Sequence, residues 1–259
     1  MANKFGIITG ASTGIGLELA RLALADGYDL LVAADTPFVD IGAGLGGLGG
    51  SVETLEVDLS TIDGVDQLLE AAGNRPIDLL CANAGHGLGH AFLDQQVSEW
   101  RHVIETNITG TLYLLQRVLK PMVARNDGKV LVTGSIAGFM PGTFQAVYNG
   151  SKAFVDSFVD AIRNELKDSD GITITTLMPG PTETEFFHRA GMDDTKVGQQ
   201  AKDDPADVAR TGWDALMSGK ADIVHGLKNK LQVAASRVLP EKVTAQMHRN
   251  LAEPGSGEN

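Results

Sequence analysis

Short apolar runs at residues 4–9, 30–34, 52–57, 77–82, 129–135, 172–178 and, more weakly, 222–225 alternate with helix-like stretches near 14–26, 61–73, 98–125, 147–168 and 205–218. A chain with this rhythm has few folds open to it. Each strand returns to its sheet through a helical crossover, which makes neighbouring strands parallel and places helices on both faces. The expected fold is therefore α/β: one Rossmann-like, doubly wound domain over 1–259, built on a mostly parallel seven-stranded sheet. The length of 259 residues suits one such unit. Ligands of this architecture bind beyond the carboxyl ends of the strands, so chemistry is expected in the loops that follow the runs.

The first of those loops is rich in glycine. Thr9-Gly10-Ala11-Ser12-Thr13-Gly14-Ile15-Gly16 leaves the first run and opens the first helix. Glycines there permit a tight turn and let backbone N–H groups approach a pyrophosphate, which the positive end of the helix then holds. Gly10, Ser12, Thr13, Gly14, Ile15 and Gly16 are thus expected to bind a dinucleotide. A second cluster, 42–50, contains the string G-x-G-x-x-G twice. It leads into a strand rather than a helix, so it reads as a flexible connection and not as a phosphate site. Asp35 ends the second run, where a carboxylate can accept hydrogen bonds from adenosine ribose hydroxyls and repel the extra phosphate of NADP. No Lys or Arg falls between Asp35 and Gly50 to attract that phosphate. NAD is the expected cofactor and NADP the less favoured one. Asp58 and Leu59, after the third run, are placed near the adenine.

Composition narrows the partners. Lys and Arg number 21 against 33 Asp and Glu, a formal net charge of −12, which disfavours nucleic acid and anionic membranes. The 43% hydrophobic and 21% charged content is that of a soluble globule. The one cysteine, Cys81, lies in an apolar run, and the start of the chain lacks a signal-peptide core, so a cytoplasmic location is expected. Asp204-Pro205-Ala206-Asp207 has the chemistry of a helix start. Residues 254–259 are expected to fray.

Tyr148-Asn149-Gly150-Ser151-Lys152 puts a phenol and an ammonium on one helix face, with Ser135 and Asn107 upstream and Asn83-Ala84-Gly85 closing the fourth run. Taken with the glycine-rich turn, these residues closely resemble the short-chain dehydrogenase/reductase superfamily over about residues 4–225. The resemblance implies a catalytic set of Asn107, Ser135, Tyr148 and Lys152. Tyr148 would exchange a proton with the substrate oxygen, Lys152 would hold the nicotinamide ribose and favour phenolate, Ser135 would donate to the reacting oxygen, and Asn107 would fix a water. It also implies that Asn83, Ala84 and Gly85 pack against the adenosine side and brace the sheet. In Pro179-Gly180-Pro181-Thr182-Glu183-Thr184, Pro179, Gly180, Thr182 and Thr184 would meet the nicotinamide. Gly150 departs from the family's frequent alanine.

Substrate-facing candidates are His86, Phe139, Met140, Phe144, Gln145, Phe186 and Phe187, a mostly apolar set that suits a hydrophobic secondary alcohol or ketone. His86 and His90 have no third partner suited to a metal, and none is expected. Residues 186–203 are expected to form a lid. Apolar stripes at Ile108, Leu112, Leu115, Leu119 and Met122, and at Phe154, Phe158, Ile162 and Leu166, fit packing on the sheet or a subunit interface. The resemblance implies a homo-oligomer, tetramer or dimer. Two rival readings are an NADP-dependent carbonyl reductase and a nucleotide-binding regulatory or scaffold protein that no longer turns over substrate.

Overall fold

The computed structural model describes residues 3–39, 45 and 47–258. Its sheet has seven strands: β1 (Phe5–Thr9), β2 (Asp29–Ala34), β3 (Val52–Glu56), β4 (Ile77–Ala82), β5 (Gly128–Thr133), β6 (Ile172–Met178) and β7 (Asp222–Val224). Their spatial order is 3-2-1-4-5-6-7 and every pairing is parallel. Every run read from the sequence is a strand, and the sheet is parallel throughout.

Period-two alternation divides the core between two faces. Ile7, Leu31, Leu80, Val130 and Val132 pack on one side, against α2 (Ile62–Ala72), α4 (Thr111–Arg125) and α5 (Ala146–Glu165). Ile8, Val32, Cys81, Leu131 and Leu177 pack on the other, against α1 (Gly14–Ala25) and α8 (Pro205–Met217). Burial pushes the Cys81 thiol well above its ordinary range, so the group is inert. Asp204 caps α8, accepting from the Ala206 N–H at 2.7 Å, with Pro205 in the first turn, as the sequence predicts.

The stretch 98–125 is not one regular helix. It divides into α3 (Val97–Ile104), a π-helical turn (Glu105–Gly110) and α4, and Asn107 lies in the π turn. Such turns widen the backbone and concentrate at functional sites. Of the second glycine cluster, Gly42, Gly44 and Gly46 lie outside the described residues. At the described end Gly47 and Gly49 take φ of 81° and 120°, and only at Gly49 and Gly50 does the chain pass close to its neighbours: a Cβ on Gly50 would sit 1.8 Å from the Tyr28 carbonyl oxygen. Gly50 is there because chain passes against chain.

Beyond β6 the chain forms two short helices, α6 (Phe186–Arg189) and α7 (Lys196–Gln199), in the segment read as a lid. Beyond β7 come α9 (Leu227–Ser236) and α10 (Glu241–Ala252), which the sequence reading lacks. The expectation of a frayed terminus is corrected over 254–258. The Gly255 N–H donates to Asp194 Oδ2 at 2.7 Å, the Gly257 N–H to Asp194 O at 2.9 Å, and the Lys196 N–H to Ser256 Oγ at 3.0 Å. Among the described residues, no helix is long and apolar enough to cross a membrane.

Gly150 is exposed in α5, and a Cβ added there meets no atom within 4 Å. Gly150→Ala should raise stability by about 0.5–1 kcal/mol, because alanine loses less backbone entropy in a helix. Chemical denaturation measures this, and a variant less stable than the parent would show that the space is not free.

Candidate active site

The carboxyl ends of β1, β4 and β5 are joined by side chains. The Thr9 hydroxyl oxygen accepts from the N–H groups of Asn83 and Ala84, both at 3.0 Å. Asn83 Nδ2 donates to Thr9 O at 3.1 Å and Gly10 O at 3.3 Å, while its Oδ1 accepts from the Thr133 hydroxyl at 2.9 Å. Beside this junction the first turn needs its glycines. Gly10 and Gly14 take φ of 65° and 57°, and a Cβ on Gly16 would lie 2.1 Å from Gly10 O. Thr13 precedes α1 without side-chain capping, and the first turn of α1 carries no acidic residue. That helix end therefore presents N–H donors and a positive potential. The arrangement fits a dinucleotide pyrophosphate.

One cavity of about 380 Å³ runs from this turn across the sheet. Its walls include Gly10, Ser12, Thr13, Gly14 and Ile15, then Asp35, Asp58 and Leu59, then Asn83, Ala84 and Gly85. Pro179, Gly180, Thr182 and Thr184 follow, with Ser135, Tyr148 and Lys152 at the same opening. Gly16 and Asn107 stand behind the wall. Gly180 is required for a reason other than close cofactor approach: a Cβ there would strike the Asn229 side chain at 2.5 Å.

Tyr148, Lys152 and Asp156 succeed one another on one face of α5, all buried. Burial pushes Tyr148 up to about 12, Asp156 adds to the rise, and the nearby Ser135 hydroxyl pulls the other way. Lys152 is lowered by burial against the pull of Asp156, and Asp156 is raised by burial against the pull of Lys152. Lys152 Nζ donates to Thr133 O at 2.8 Å. Neither Asp156 oxygen has a hydrogen-bond partner of good geometry among the described residues, although the nearby Ser135 backbone opposes the rise. Its Oδ1 lies 1.9 Å from where a Gly134 Cβ would be, and its Oδ2 lies 2.6 Å from the corresponding point on Gly138, so these glycines on either side of Ser135 make room for the carboxyl. The sequence reading missed Asp156, although its place one helical turn beyond Lys152 was visible.

Asn107 is committed to its neighbours. Its Oδ1 accepts from the His86 N–H at 2.7 Å, and its Nδ2 donates to His86 O and Ser151 Oγ, each at 2.9 Å. The π turn thus fixes the strand-end loop that carries His86. Of the expected substrate-facing residues, His86, Met140, Gln145, Phe186 and Phe187 line the cavity. Phe139 and Phe144 do not, which corrects the expectation. Phe139 packs with Ile136, Met178 and Val233, and Phe144 lines a separate depression with Leu88 and His90. Phe186 lies over Tyr148 with ring centroids 5.0 Å apart, and a Cβ on Gly87 would meet its ring at 2.3 Å. The C-terminal helices, unforeseen, add Lys228, Asn229, Gln232, His248, Leu251 and Ala252 to the walls. Arg189 of α6 forms an ion pair with Asp35.

Comparison with known proteins places the same features in a larger group. The family model described as short chain dehydrogenase matches residues 4–195. An uncharacterised oxidoreductase of Staphylococcus saprophyticus is 29% identical over 221 residues, 83% of this chain and 92% of that protein. A short-chain dehydrogenase from Sphingobium yanoikuyae, solved in complex with NADPH, superposes with a TM-score of 0.80 at 26% identity, covering 90% of this chain and 93% of the other. A short-chain type dehydrogenase/reductase from Mycobacterium marinum gives a TM-score of 0.71 at 27% identity, over 85% and 93%.

Burial, with smaller contributions from His102 and Arg189, holds His86 down to about 4. The unfolded chain takes up a proton near pH 6.5 that the folded chain refuses, so His86 weakens the fold as pH falls from there toward 4. Histidine NMR titration should leave the His86 ring neutral throughout that window. A protonation midpoint near 6.5 would place the ring in water.

Proposed function

The chain belongs to the short chain dehydrogenase family, and from that premise we propose that it interconverts a secondary alcohol and a ketone of a largely hydrophobic small molecule, with NAD as the preferred cofactor. One observation carries the proposal. Ser135, Tyr148 and Lys152 open onto the same cavity as an uncapped helix end and its glycine turn. When bound, a nicotinamide dinucleotide supplies the hydride in reduction and takes it up in oxidation.

The chain's own residues manage the proton. In reduction, Tyr148 gives its phenolic proton to the carbonyl oxygen as charge develops there, and Ser135 donates a second hydrogen bond to that oxygen. In oxidation, Tyr148 must first be phenolate, and the buried Lys152 ammonium is the nearby counter-charge that favours it. The value near 12 fixes the direction of the pH response: a protonated phenol suits reduction, and oxidation gains as rising pH removes the proton. Phe186, over the Tyr148 ring, excludes water from this face. Residues 186–203 act as the lid that brings it there. The exposed Phe154, stacked on Phe158 of α5, supports a homo-oligomeric interface through that helix.

Asp35 at the end of β2 supports NAD, since its carboxylate suits ribose hydroxyls and opposes a phosphate. A specific observation supports the second reading, an NADP-dependent carbonyl reductase. Arg189 reaches Asp35, which brings a guanidinium to the place where that phosphate would lie. The relative from Sphingobium yanoikuyae was solved with NADPH.

Tyr148→Phe should lower turnover by at least about 100-fold while cofactor affinity changes little. Steady-state assays with a panel of apolar alcohols and ketones measure the first and calorimetric titration the second. Full activity in the variant would remove Tyr148 from the proton transfer, and cofactor binding by the parent without turnover with either cofactor would favour a scaffold. In the same titrations the parent should bind NAD more tightly than NADP, and Asp35→Ala should shrink that preference. Tighter NADP binding that is lost in Arg189→Ala would establish the second reading.

A further inference from the structure

The cavity lining includes the apolar Ile136, Met140, Phe186, Val197 and Leu251, and among its polar residues are Gln145 and His248. Gln145 and His248 are only 5% and 8% exposed. His248 Nδ1 lies 2.9 Å from Thr143 O, an acceptor only, so that nitrogen carries the proton and Nε2 keeps a bare lone pair. Nε2 has no hydrogen-bond partner among the described residues. Gln145 stands at the N-cap of α5, yet its side chain does not cap the helix and has no hydrogen-bond partner among the described residues. Both residues line the cavity, one from α5 and one from α10, so polar groups of side chains more than nine-tenths buried are left to pair with what the cavity holds.

The backbone around them is held in place. Phe144, immediately before Gln145, takes φ of 66°, a conformation that side chains with a Cβ seldom adopt. From α10, the Arg249 guanidinium lies over the Phe144 ring at 5.0 Å. The Thr143 hydroxyl donates to Ala245 O at 3.0 Å while His248 donates back to Thr143 O. Strain beside an unpaired side chain, locked by reciprocal hydrogen bonds, is the signature of a clamp.

We infer that Gln145 and His248 recognise a hydroxyl group that the substrate carries away from its reacting carbon. The substrate class is thus an apolar diol or hydroxyketone. The His248 lone pair requires a donor, and the Gln145 amide can both accept from a hydroxyl and donate to it, so a single neutral O–H satisfies both. A carboxylate would be repelled by the lone pair, and the cation on this wall, Lys228, is exposed at the rim. This inference rests on the reading of Tyr148 as the residue at the reacting oxygen, since it fixes which end of the cavity is distal.

The test uses methyl ketones of about eight to twelve carbons, a length suited to a pocket of this class, each paired with its ω-hydroxy and ω-carboxy analogues. Calorimetric titration into the Tyr148→Phe protein reads binding without turnover, and kcat/KM of the parent protein reads catalysis. For at least one chain length the hydroxyketone should exceed its parent ketone by about tenfold or more in both measurements. His248→Leu and, independently, Gln145→Leu should each pull that ratio toward one. Gln145→Leu lies off α10 and keeps the test alive if the histidine variant does not fold. Equal treatment of ketone and hydroxyketone at every length, tighter binding of the carboxylate, or ratios unmoved in a folded variant would overturn the inference. A hydroxyl preference seen in calorimetry without turnover by the parent would instead sink the proposed reaction and leave the subsite standing.

Discussion

The structure depends on the knot that Thr9, Asn83 and Thr133 tie at the carboxyl ends of three strands. In a parallel sheet the strand order reverses on either side of β1 and β4, and the loops part there to leave a crevice. The crevice exposes the last carbonyl groups of β1 to a region where the ladder has ended. Asn83 takes the carbonyls of Thr9 and Gly10 with one nitrogen and the Thr133 hydroxyl with its oxygen. The same amide thereby sets how far the glycine turn stands from the β5 loop that carries Ser135. A carboxylate at this position would lack the donor, and a lysine would lack the acceptor. The family resemblance assigned Asn83 to the adenosine side and to bracing. The hydrogen bonds show the bracing.

Burial, rather than ion pairing, dominates the row Tyr148, Lys152 and Asp156. Tyr148, Lys152 and Asp156 have all been taken out of water, and each is pushed toward its neutral form: phenol, amine and carboxylic acid. Lys152 and Asp156 restrain each other, because discharging either removes the charge that favours the other. The Asp156 carboxyl thus opposes the loss of charge at Lys152 that burial favours. Room for that carboxyl comes from Gly134 and Gly138, which flank Ser135. The two glycines thus make room for a carboxyl that is distant in sequence but adjacent in space.

Much of the fold was legible because the period of the apolar residues changes sharply between strands and helices; Tyr148 and Lys152 were legible as a helix-face pair, and Ser135 through its distance ahead of that pair in the family resemblance. Other features had no such signal. The π turn at Asn107 shifts the backbone hydrogen bonding while the apolar stripe from Ile108 to Met122 continues past it, so residue type does not register the change. Helices α9 and α10 invert the usual pattern. Their apolar Leu227, Leu231, Val243 and Met247 are exposed, whereas polar Asn229, Thr244 and His248 are buried. A search for an inward apolar stripe passes over them. Phe139 and Phe144 lie close in sequence to Met140 and Gln145, but chain neighbours need not face one cavity. Arg189 meets Asp35 only because the loop after β6 folds back across the sheet.

That contact is not what holds the segment 186–203. An ion pair between half-exposed groups contributes about 0–1 kcal/mol, too little to fix a segment of this length. Phe187, Ala190 and Met192 instead bury themselves against Ala252 of α10, and Asp194 takes two N–H groups of the terminal turn. At its base the segment is tied to the loop after β6 by the Thr182–Asp203 bridge. Its apolar attachment is therefore to the C-terminal helix. The wall that presents His248 and the segment that lays Phe186 over Tyr148 share one small core, so a change that loosens α10 loosens both. The place of His248 in the cavity wall and of Phe186 over Tyr148 in this way depend on a single packing contact, and the elements that make it lie at the edge of the family match or beyond it.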